Sequence, residues 1–135
     1  MKNLFKNRSW IFIVVIFIAI GCSKSSSSSS VNLSGTWKLT AEKATGCTDS
    51  NNNYNESCTS SCPVLVLTST AYTFKDGSGN VIDTGTYTVG GGKITIKPAT
   101  GGSAQENITI SGNTFMISET DGSDGCTYTD TYTKQ

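Results

Sequence analysis

Leu33-Ser34-Gly35-Thr36-Trp37-Lys38-Leu39-Thr40-Ala41 is the stretch that decides the fold. Trp37, Leu39 and Ala41 fall on one face of an extended chain, and Lys38, Thr40 and Glu42 on the other. A period of two marks a strand with one face buried and one in water. If later segments close a small barrel, this strand carries the seam and Trp37 plugs one end.

Working outward, the following chain supplies strand after strand. Thr45 to Cys62 is polar, rich in Asn and Ser, and reads as a long loop. Val64–Thr68, Ala71–Lys75 and Val81–Val89 then alternate, with Asp76-Gly77-Ser78-Gly79-Asn80 as a hairpin turn. Lys93–Lys97 ends at Pro98, a Gly-rich loop runs from Ala99 to Gln105, and Glu106–Ile110, Thr114–Ser118 and Thr127–Thr133 complete the set. No stretch after Cys22 has a helical period. The expectation is all-β: a small eight-stranded antiparallel up-and-down barrel, one domain, over residues 32–135. Such a barrel is filled by its own side chains or holds one small ligand.

Closure can be tested on the sequence. In an up-and-down barrel the first and eighth strands are antiparallel neighbours, so paired residues have a constant index sum. Trp37 with Lys134 gives 171, and Cys47 with Cys126 gives 173. The agreement points to Cys47–Cys126 as a clasp on the seam and Cys58–Cys62 as a local bridge. The competing arrangement gives Cys126 to Cys58 or Cys62. Four cysteines remaining in an exported chain argue for two disulfides. Their spacing is not that of a zinc ribbon, so no metal site is expected.

Residues 1–21 read as an export signal. Lys2, Lys6 and Arg8 precede ten apolar residues, Ile11 to Ile20, a run too short to span a bilayer. Ala19-Ile20-Gly21-Cys22 resembles the lipobox of bacterial lipoproteins, which implies acylation of Cys22 and anchoring in a membrane through the lipid. Residues 22–31 then form the acylated cysteine and a serine-rich tether. Ser23 implies, by the same resemblance, an outer-membrane lipoprotein of a Gram-negative bacterium, facing the periplasm or the cell surface. Without Lys2, Lys6 and Arg8 the chain keeps 7 basic and 10 acidic residues, a net of −3. It has no basic patch, so no nucleic acid is expected as a partner. It has no histidine, which removes histidine general bases and serine–histidine or cysteine–histidine couples. Asp76 to Asp83 hints at a calcium loop, but Tyr87 stands where the bidentate glutamate belongs, and a plain turn is the better reading. No catalytic residue, enzyme activity or cofactor is assigned.

Gly35-Thr36-Trp37 resembles the Gly-x-Trp opening of lipocalins and calycin-like barrels, and more closely that of short lipocalin-like lipoproteins of Gram-negative bacteria. Gly85-Thr86-Tyr87-Thr88-Val89, the run Gly91 to Ile96 and the closing Thr131-Tyr132-Thr133-Lys134 are similar to that group as well. The resemblance implies a cation from the last strand over the tryptophan ring, which by position is Lys134. It also implies a small apolar ligand in the barrel, with Leu39, Tyr72, Phe74, Tyr87, Phe115 and Tyr128 as lining candidates. The alternative is a filled barrel in a structural or inhibitor-type envelope protein. That protein would meet an envelope partner through Thr45–Cys62 and Glu119–Gly125.

Overall fold

The alternating stretches become strands because each presents one apolar row to a common interior. A computed structural model describes residues 31–135; the export signal, Cys22 and most of the serine tether lie outside the described residues. The strands are β1 (Gly35–Thr45), β2 (Tyr54–Ser57), β3 (Val64–Leu67), β4 (Ala71–Lys75) and β5 (Val81–Gly90). They continue with β6 (Lys93–Pro98), β7 (Ala104–Ser111), β8 (Thr114–Thr120) and β9 (Thr127–Lys134). All neighbours are antiparallel, and β1 pairs with β9 as well as with β3. Eight strands, β1 and β3–β9, therefore close a barrel.

β2 was not expected. Thr45–Cys62 reads as a loop, yet Tyr54–Ser57 pairs with Ala44–Ala41 of β1. Val64–Leu67 of β3 pairs with Lys38–Gly35 of the same strand edge. The two segments thus run in one track beside β1, interrupted by a six-residue bow that leaves the ladder. Cys58 donates its backbone N–H to Thr40, and Leu39 donates to the carbonyl of Pro63, so both ends of the bow remain tied to β1. Cys58–Cys62 bridges the bow across its base.

The seam follows the expected register, with one correction. Trp37, Lys38 and Leu39 face Lys134, Thr133 and Tyr132; then a bulge intervenes, and Ala41 to Thr45 face Thr131 to Thr127. The bulge raises the index sum by one on the way from Trp37 to Cys47, which is half of the drift to 173; the rest arises beyond the paired residues. Cys47 and Cys126 are joined just beyond the paired region. Thr40 is the extra residue, and its hydroxyl lies 3.2 Å from the carbonyl of Thr131 and 3.2 Å from the hydroxyl of Thr133. A bulge reverses the inside–outside phase beyond it. Ala44 is accordingly fully buried. Glu42, which strict alternation puts outside, shares the interior phase with it.

The core gathers at the end where β1 begins. Trp37 and Phe115 meet edge to face at 4.7 Å, and Phe115 stacks on Tyr132 at 5.0 Å. Leu33 covers the tryptophan, whose Nε1 donates to the Leu33 carbonyl at 2.7 Å. Lys134 stands over the indole ring, its Nζ 5.3 Å from the centroid. Its side chain reaches there across Gly35, where a Cβ would come within 2.8 Å of Lys134 Cε and where φ is +142°. The glycine of the Gly-x-Trp opening is thereby accounted for: it gives passage to the cation above the plug.

Candidate functional site

Plugging one end leaves the other to be examined. The far end is framed by the β4–β5 turn, the β6–β7 connection and the β8–β9 loop. Asp76 shapes the first of these, accepting from the backbone N–H of Ser78 and Asn80. The exposed Asp76 carboxyl is held below the usual range first by the Asn80 side-chain amide, which donates to Oδ2 at 3.0 Å, and then by the backbone bonds. That carboxylate is used up by its own turn.

Behind this end lies a cavity of about 360 Å³ that opens to solvent. Ligand pockets run from about 300 to 1,000 Å³, so it sits at the small end of the range. Leu65, Leu67, Ile94, Ile96, Ile117 and Tyr132 form its wall. Tyr72 and Tyr87 stand within it, and Phe74, Ile82, Asp83, Pro98 and Thr100 form the mouth. The register at β4–β5 shifts between Phe74 and Lys75, and Ile82 is left out of the pairing. That bulge leaves Ile82 more than half exposed at the lip.

Gly85 makes the site possible. It lies opposite Tyr72 on one side and Pro98 on the other. A Cβ there would come within 2.7 Å of the Tyr72 ring and 2.2 Å of the Lys97 carbonyl. Because the position is bare, the Tyr72 ring lies across the strand and its hydroxyl donates to Asp83 Oδ2 at 2.6 Å. Tyr87 points its hydroxyl the other way, to the carbonyl of Thr68 at 2.6 Å. The cavity is therefore apolar along its length, with one carboxylate–phenol pair near its opening.

Of the six lining candidates, Tyr72, Phe74 and Tyr87 border the cavity. Leu39 and Phe115 instead fill the core under the plug. Tyr128 belongs to the clasp end, donating its hydroxyl to Asp124 Oδ2 at 2.6 Å. Asp83, Ile82 and the aliphatic wall are not among the lining candidates of the sequence, Asp83 being read there as the end of a turn. Asp83 had a signal: it shares the alternation of Gly85 and Tyr87. Ile82 had none, because only the bulge turns it to the mouth. Among the described residues no group of three His, Cys, Asp or Glu side chains is placed to hold a metal ion.

Burial raises the hydroxyls of Tyr72, Tyr87 and Tyr132. For Tyr72 the hydrogen bond to Asp83 and its charge add to burial. For Tyr87 burial alone acts. Tyr132 is pushed well above the ordinary value by burial, then by the charges of Asp130, Glu42 and Glu106. A pKa raised in the folded state means that the stability held by the neutral phenol is complete below the unfolded value, about 10. It is lost as pH climbs through the folded values. Three of the five tyrosines should thus show their phenolate absorbance only as the β-sheet circular dichroism collapses above about pH 10. Free titration of all five in a folded barrel would contradict the burial described.

Comparison with known proteins adds the following. A family model described as a lipocalin-like domain matches residues 33–117, from the residue over the plug to β8. No curated protein matches. A solved structure of a de novo designed fluorescence-activating β-barrel is similar at 12% identity, covering 76% of this chain and 93% of that one, with a TM-score of 0.41.

Proposed function

The chain belongs to the lipocalin-like domain family, and from that premise we propose that it is a lipid-anchored binding module, not an enzyme, whose barrel takes one small apolar or amphipathic molecule. The observation that carries this reading is the apolar cavity of about 360 Å³, walled by Leu65, Leu67, Ile94, Ile96 and Tyr132 and open at Asp83 and Thr100. An apolar ligand gains by leaving water for such a wall, by about 25 cal/mol for each Å² it buries. Cys22 would hold the module to the outer membrane, with the serines as its tether.

A second reading has support of its own. The clasp draws Thr45–Cys62 and Glu119–Gly125 together, and Thr48 N–H donates to the Asp124 carbonyl at 2.8 Å. The two loops form one exposed surface, suited to an envelope protein partner.

Native mass spectrometry of Ser23–Gln135, exported to an oxidising periplasm and purified without denaturant, separates the two. Among the described residues, 31–135, the eight strands close on themselves around one core, so Ser23–Gln135 contains the closed barrel. The expected spectrum shows a mass excess that denaturation removes. A bare mass, with no uptake of added apolar probes, would move the assignment to the loop surface.

A further inference from the structure

Polar side chains on a closed barrel belong outside, yet the register of this one puts half-buried carboxylates on the inward phase of its strands. Opposed residues of an antiparallel pair share a face. Glu42 faces Asp130, which faces Ile117 of the cavity wall. Glu106 faces Ile94, also of the wall. Asp83 faces Phe74 at the mouth. Glu56 faces Glu42, and Glu119 faces Tyr128. The five carboxylates carried by barrel strands, Glu42, Asp83, Glu106, Glu119 and Asp130, are therefore on the inward phase in the half of the barrel that opens, Glu119 exposed and the other four half-buried, while Glu56 continues their row on β2 and is exposed. The strand lysines are sorted the other way. Lys38, Lys43, Lys75, Lys93 and Lys97 alternate with inward residues and so face out, while Lys134 sits over the plug at the closed end.

From this sidedness we infer that the barrel takes a lipophilic cation: a small amine or quaternary ammonium on an apolar body. The inference rests on the binding function proposed above and names its ligand class. The apolar body would lie against Leu65, Leu67 and Ile96. The positive group would stand toward the mouth, beside Asp83, the carboxylate that lines the cavity, with Glu42, Glu106 and Asp130 on the same inward phase beyond the wall residues.

A carboxylate on the inward phase of a small barrel is costly unless something compensates it. Glu42, Glu106, Glu119 and Asp130 do have interactions within the protein. Even so, Asp130, Glu42 and Glu106 together raise the hydroxyl of Tyr132, a wall residue, through their charge. The charge of these three carboxylates thus reaches the cavity wall at Tyr132. An anion such as a fatty-acid carboxylate would enter against that field, whereas a cation would be drawn in by it. The carboxylates are not gathered at metal-binding spacing, so a diffuse organic cation suits them better than a divalent ion.

The test uses three probes with one tail: octyltrimethylammonium, octanol and octanoate. Each is titrated into oxidised Ser23–Gln135 by calorimetry at low and at physiological salt. The cation should bind at least about tenfold tighter than the alcohol, and octanoate weakest. Raising the salt should narrow the gap. Glu42→Gln and Glu106→Gln, made singly, should each lower the affinity for the cation several-fold and leave that for octanol in place. Octanoate binding as tightly as the cation would overturn the charge inference and leave the binding module standing. No binding by any of the three would overturn both.

Discussion

Trp37→Ala is expected to remove about 3–5 kcal/mol from the unfolding free energy. The domain described has residues 31–135, and a domain of that size commonly has only about 5–15 kcal/mol in total. Three losses combine. The indole is 2% exposed, so its whole packing volume becomes a void. Its edge-to-face contact with Phe115 goes. The carbonyl of Leu33 also loses the donor that holds the entering chain over the plug. That last loss should spread, because Leu33 itself is almost fully buried by lying there. Urea unfolding followed by circular dichroism is the measurement, since Trp37 is the sole tryptophan after Cys22. Lys134→Met is the control. It removes the cation above the ring and keeps much of the aliphatic stem, and should cost about 0.5–1 kcal/mol. A loss below about 1 kcal/mol for Trp37→Ala would mean that the plug does not hold the closed end together.

The contrast between those two variants shows how the sequence could be read. Trp37, Leu39, Lys134 and the two candidate cysteines of the seam were placed by alternation and a constant index sum. Both are long-range regularities of an antiparallel ladder. The seam drifts from that sum because of Thr40, a threonine in an alternating run like any other on this chain, and nothing local distinguishes it as a bulge. The consequence reaches the site: beyond Thr40, Glu42 moves from the outer face to the inner one. β2 escaped notice for a different reason. Tyr54–Ser57 has one large apolar residue among polar ones, and it is a strand because β1 offers a free edge there, a property of the tertiary fold. The aromatic candidates divided according to which end is plugged. Phe115 and Leu39 lie under Trp37 and became core, while Tyr72, Phe74 and Tyr87 lie beyond it and border the cavity. Glu106 was legible and overlooked. It stands two residues before Ile108 and four before Ile110, so the same alternation that puts those isoleucines inside puts the glutamate inside.

Loss of the clasp should cost more than loss of the local bridge, although each removes one disulfide. Cys47 and Cys126 are 79 residues apart, and Cys58 and Cys62 only 4. A cross-link stabilises chiefly by restricting the unfolded chain, and the restriction grows with the logarithm of the loop it closes. On that account Cys47→Ala with Cys126→Ala should lose about 4.5 kcal/mol, and Cys58→Ala with Cys62→Ala about 2 kcal/mol. Alanine is the right replacement because Cys126 is fully buried, and a serine hydroxyl there would add a desolvation cost unrelated to the cross-link. The folded barrel does not need the clasp for closure, since β1 and β9 already pair from Trp37 to Thr45. The variant should therefore keep its β-sheet spectrum while its urea midpoint falls. Its denaturant slope should rise, because the unfolded chain without the clasp exposes more surface. The Cys58–Cys62 variant should show a smaller midpoint shift and an unchanged slope, since its five-residue loop hardly compacts the unfolded state. Equal losses for the two pairs would mean that the clasp acts through strain or packing in the folded seam. In that case the bond would be fixing the geometry of the β8–β9 loop, where Asp124 and Tyr128 meet, more than the dimensions of the unfolded chain.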